Sequence, residues 1–114
     1  MCSQATLNVV TEKIVQAAKD SLGDKLERVI LYGSYTRGDY DDDSDIDIMV
    51  LAVIPHEDCW KERMKISKEI GCIEIEHDVL LSVHVTGSAT FNKYINALPF
   101  YMNVLNDGVT ISAS

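Results

Sequence analysis

Apolar residues recur at helical spacing through the first twenty-two positions. Leu7, Val10, Ile14, Ala17 and Leu22 share one side of a helix running from about Gln4 to Leu22, and Gly23 stands where its C-terminal cap belongs. The pattern then changes to a β-branched run, "LERVILYGS", which predicts a strand over Leu26 to Tyr32 halted by Gly33 and Ser34. Ser34 to Arg37 has room for one or two helical turns before Gly38 and an acidic loop. Ser44 to Val53 reads as a second strand, ended by Pro55.

Beyond it, Glu57 and Asp58 open a helix expected to carry Trp60, Met64, Ile66 and Ile70 inward and to stop at Gly71. Acids at its start and Lys68 near its end suit the helix dipole. The segment "IEIEHDVLLSVHV" alternates from Asp78 onward, with Val79, Leu81, Val83 and Val85 on one face and Asp78, Leu80, Ser82 and His84 on the other. Period two predicts a third strand. Thr86-Gly87-Ser88 turns the chain into a helical region from Ala89 to Leu105, interrupted at Pro99. "GVTIS" offers a short last strand, and the tail "SAS" is expected to fray. This order predicts an α/β (α+β) fold, a single domain over residues 1–114 with helices packed on a small mixed sheet.

A chain of 114 residues with 46% hydrophobic content and a mean hydropathy of +0.01 can bury one core without staples. No apolar run approaches the ~20 residues of a spanning helix, and no signal pattern opens the chain, so a cytoplasmic protein without a membrane partner is expected. Cys2, Cys59 and Cys72 form no C-x-x-C pair and read as reduced thiols. His56, His77 and His84 lack any ligand spacing. The net charge of −8 argues against a direct grip on nucleic acid, because that affinity comes from lysines and arginines on the phosphates. The acidity is local, however: six of the 18 acids fall between Asp39 and Asp47.

That cluster lies in "GSYTRGDYDDDSDIDIMV", Gly33 to Val50. Two carboxylates ~4 Å apart repel by ~1 kcal/mol even in water, so a strand that begins this way needs a reason. On a strand, Asp45 and Asp47 project together, ~6.6 Å apart, while Ile46, Ile48 and Val50 face the core. Such a pair suits hard cations, which take oxygen ligands and are commonly held by one or two carboxylates plus substrate phosphates. Two ions together can activate an attacking oxygen and stabilise a leaving one at phosphorus. A third carboxylate would complete the site; Asp78 is the candidate and Glu76 its rival. Gly33 and Ser34, between a strand and a helical turn, offer backbone N–H groups and a hydroxyl to phosphate. Two other motifs fail. Gly33 and Gly38 have P-loop spacing, but Asp39 and Tyr40 stand where Lys and Ser/Thr are required. A calcium loop over Asp41, Asp43 and Asp45 would place Ile46 at its glycine and Ala52 at its glutamate.

"GSYTRG" followed by "SDIDIMV", with "HDVLLSVHV" and "PFYMNVLNDGV" further on, resembles the DNA polymerase β-like nucleotidyltransferases, in particular the minimal nucleotidyltransferases. The resemblance implies a polymerase β palm-like fold and transfer of a nucleoside monophosphate, usually AMP from ATP, with two Mg²⁺ ions and loss of pyrophosphate. It implies that Gly33 and Ser34 hold the triphosphate, that Arg37 reaches a phosphate, and that Asp45, Asp47 and Asp78 are catalytic metal ligands. It also implies a HEPN-domain partner protein, AMPylated by the nucleotidyltransferase as the antitoxin of a toxin–antitoxin pair, or else self-association. Two alternatives stay open: a non-catalytic antitoxin acting by occlusion, and a small-molecule transferase of the aminoglycoside type.

Overall fold

The computed structural model describes residues 4–33 and 45–113. Helix α1 (Gln4–Leu22) leads through a 3-10 turn into strand β1 (Leu26–Tyr32), which pairs antiparallel with β2 (Ile46–Ala52). From β2 the chain passes through helices α2 (Cys59–Lys65) and α3 (Ser67–His77) to β3 (Leu81–Gly87), which lies parallel to β2. A parallel pair needs such a crossover, since a hairpin cannot join its ends. Helix α4 (Ser88–Tyr94) follows β3 directly, then α5 (Pro99–Asp107) and β4 (Val109–Ala113), antiparallel to β1. The sheet is therefore mixed, in the order β3-β2-β1-β4. The tail that was expected to fray joins the sheet instead: Ser112 pairs with Val29 and Ala113 with Arg28.

Both faces of the sheet are covered, unequally. On one, Val29, Leu31, Ile46, Ile48, Val50, Leu81 and Val83 pack against α1 and α3 in the main core. Helix α1 contributes Leu7, Val10, Ile14, Ala18 and Leu22. Ala17, expected inward, lies at the margin, and its neighbour Ala18 takes the buried place. Each large aliphatic side chain so buried contributes roughly 1.5–3 kcal/mol before chain entropy is set against it. On the other face, Ile30, Tyr32, Met49 and Leu51 pack beneath Phe91 of α4 and Val104 of α5, with the Phe91 and Tyr101 rings 5.1 Å apart. Strand β2 is thus apolar on both faces along its second half. At its start the second face carries Asp47 instead.

The segment between β2 and β3 differs from expectation. The helix does not stop at Gly71; it breaks at Ile66 and runs on to His77. Ile66, Ile70 and Ile73 are spaced for one helical face and all are buried, so the 3.6-residue period carries the helix past Gly71. The break resets the phase of α2. Trp60 and Met64, expected inward, are each 64% exposed, and Cys59 is the buried residue of that helix. Arg63 turns toward the sheet, where its Nε donates to the Val83 carbonyl on the edge strand at 2.8 Å and its Nη1 to Ser67 Oγ at 2.9 Å. Ser21 Oγ donates to Glu62 at 2.9 Å and ties α1 to α2.

Gly71 is now a helix-interior residue, and a Cβ there would meet nothing within 4 Å. Gly71→Ala is expected to raise stability by about 0.5–1 kcal/mol, because alanine loses less backbone entropy on entering a helix. Denaturant unfolding checks this; an unchanged or lower midpoint would mean that the helix ends near Gly71 after all.

Candidate active site

The site begins where β1 ends. Tyr32 lies opposite Asp47 in the antiparallel ladder, and Gly33 follows with φ of +80°, a backbone conformation in which side chains are strained. A Cβ on Gly33 would collide with the carboxylate of Asp47. Glycine is therefore required twice at this position, by its dihedral and by the side chain beneath it. Asp47 is half-buried, and Asp45 is exposed just before β2, where Ile46 N–H already donates to the Leu80 carbonyl at 2.9 Å. Burial first, then the charge of Asp47, push the Tyr32 hydroxyl far above its ordinary value, so the phenol stays neutral beside the carboxylate. The carboxylate that Gly33 admits offers oxygen donors, the kind that hard cations such as Mg²⁺ take.

Of the other expected site residues, Ser34 and Arg37 fall outside the described residues, as do the acidic loop and the helical turn before it. Asp78 is not on a strand. It caps α3 in a left-handed conformation, φ 53° and ψ 52°, and β3 begins only at Leu81. The physical reason is local: Glu74, still helical, accepts the Leu81 N–H at 2.9 Å and its carbonyl accepts from Val79 N–H at 3.2 Å, holding the turn that separates helix from strand. Glu76 is drawn away to α1, where Lys13 Nζ lies 3.1 Å from its carboxylate and holds it below the usual range. Among the described residues no three His, Cys, Asp or Glu side chains gather closely enough to hold a metal ion.

The β3 residue level with Asp47 is Ser82, whose Oγ lies 3.3 Å from His84 Nε2. Neither was expected at the site. The alternation had set both on the face of Asp78, but their register against β2 is not visible in one strand alone.

Residues 11–110 match the family model described as the nucleotidyltransferase domain, and the chain belongs to that family. MJ0141 of Methanocaldococcus jannaschii, provisionally named a protein adenylyltransferase, is 38% identical over 80 residues, covering 70% of this chain and 79% of that protein. Among solved structures, one provisionally described as a minimal nucleotidyltransferase superposes with a TM-score of 0.59 at 18% identity, covering 92% of each chain. A second, a tri-AMPylated Shewanella oneidensis HEPN toxin in complex with its MNT antitoxin, gives 0.52 at 18% identity over 94% of this chain and 72% of that one. At such identities the structures establish a shared fold.

Gly33→Ala is expected to cost about 1–3 kcal/mol through its dihedral alone, with the Asp47 carboxylate displaced in addition. Thermal unfolding should show a clear drop in midpoint, and a variant as stable as the wild type would contradict the geometry of the Gly33–Asp47 contact.

Proposed function

We propose that this nucleotidyltransferase moves AMP from ATP, with Mg²⁺, to a hydroxyl on a partner protein, and that the partner is a HEPN-domain protein. The observation that supports the reading is the junction of Tyr32, Gly33 and Asp47, which packs the Asp47 carboxylate against a glycine at the end of β1, with Asp45 two residues before it in the chain. The provisional naming of MJ0141 as a protein adenylyltransferase and the AMPylated HEPN complex support the acceptor class.

In this reading Asp45 and Asp47 would hold two Mg²⁺ ions, which supply positive charge against the phosphates and lower the barrier to attack at phosphorus. Gly33 would let the triphosphate approach the backbone, Ser34 would add a hydroxyl donor, and Arg37 would pair with a phosphate. Tyr32, neutral and packed, would keep Asp47 in place without adding charge of its own. Asp78, exposed at the end of α3, no longer has the strand position that made it the third ligand.

Incubation with α-labelled ATP, Mg²⁺ and a HEPN-domain protein should place label on that protein. Asp45→Asn should abolish the transfer, yet unfold without Mg²⁺ at or above the wild-type temperature, since it removes one of two repelling carboxylates. A tight complex that never acquires label would overturn the reading in favour of inhibition by occlusion.

A further inference from the structure

Strand β3 lacks an acid where one would complete the site. In the parallel ladder Ser82 stands level with Asp47 and His84 with Met49, while Leu81 and Val83 join the main core. Side chains at one level of adjacent strands leave the sheet on the same side. Ser82 therefore shares the face of Asp47, and so does His84, two residues on. The imidazole reaches back along the strand, with Nε2 3.3 Å from Ser82 Oγ. Asp47 and Ser82 are half-buried, and His84 is exposed to solvent. Imidazole accepts a proton readily near neutral pH, and a hydroxyl can pass one on while losing its own.

We propose that Ser82 and His84 form the proton-accepting arm of the site, in place of a third carboxylate. The inference rests on the transfer reaction proposed above. The acceptor hydroxyl lies against Ser82 Oγ. As its oxygen forms a bond to the α-phosphorus, the bond from that phosphorus to the bridging oxygen breaks and its electron pair leaves with pyrophosphate. The acceptor's proton passes to Ser82, Ser82 gives its own proton to His84 Nε2, and the exposed ring returns it to solvent. Ser82 touches the reacting oxygen, and His84 works through it.

The test compares wild-type protein, His84→Ala and Ser82→Ala in AMP transfer from ATP to a HEPN-domain protein with Mg²⁺. His84 is exposed on an edge strand, so equal unfolding midpoints are expected for that variant and the wild type. His84→Ala should lower kcat by roughly 10²-fold with KM for ATP unchanged, the usual scale of general-base catalysis, and imidazole added to the buffer should restore part of the rate. Ser82→Ala should also be slow but gain nothing from imidazole. Equal kcat for His84→Ala and a wild type that labels the acceptor would overturn this inference alone. So would a loss that imidazole does not restore, or one seen as a raised KM for ATP, because either marks a structural role. No label from the wild type would overturn both this inference and the transfer reading.

Discussion

Asp47 enters the sheet as a charge among apolar neighbours, and the register of β2 decides where that charge goes. A slip of one residue would reverse every side chain of the strand, sending Asp47 into the main core and Ile46, Ile48 and Val50 out of it. All three of those residues are fully buried, so the slip would expose them and leave an ionised carboxylate under α1 and α3. The hydrophobic face of β2 therefore fixes the position of the acid on its other face. Tyr32 and Gly33, which end β1 opposite it, are set by the same pairing.

The arrangement of helices follows from the same division. Helices α1 and α3 close one face, while α4 and α5 pack over Ile30, Tyr32, Met49 and Leu51 of the second. On that second face Asp47 stands level with Tyr32 on one side and Ser82 on the other. Strand β3, joined to β2 by a parallel ladder and tied to α2 through Arg63, sets Ser82 level with Asp47 and His84 level with Met49. A side chain on a strand is positioned by packing some distance away, and this is how Asp47 is held against Gly33.

Much of this was legible in the sequence, and the failures have physical causes. Helix α1 carries one unbroken periodicity and strand β1 one β-branched run, and their limits matched expectation. Between Ile66 and Asp78 two periods overlap. Ile66, Ile70 and Ile73 fit a helix, while "IEIEHD" also alternates, and only burial against the sheet selects the first. That Gly33 and Asp47 lie close could be anticipated from spacing along one strand and one turn, and the structure brings them into contact. The level of Ser82 and His84 relative to Asp47 could not be anticipated, because it depends on which β3 residue meets Asp47, a property of two strands together. Asp78 was misplaced for the same reason as the helix end that carries it.

In the transfer reaction proposed above, the carboxylates of Asp45 and Asp47 would form a cation site, and bound Mg²⁺ would relieve their repulsion. A ligand that binds only the folded state raises stability in proportion to the logarithm of its concentration. The most direct measurement is the unfolding midpoint as Mg²⁺ is titrated in the presence of a non-hydrolysable ATP analogue, for wild-type protein and for Asp45→Asn. A midpoint that climbs with Mg²⁺ in the wild type and stays flat in the variant is the predicted result. A flat wild-type response, or an equal rise in both, would contradict the account.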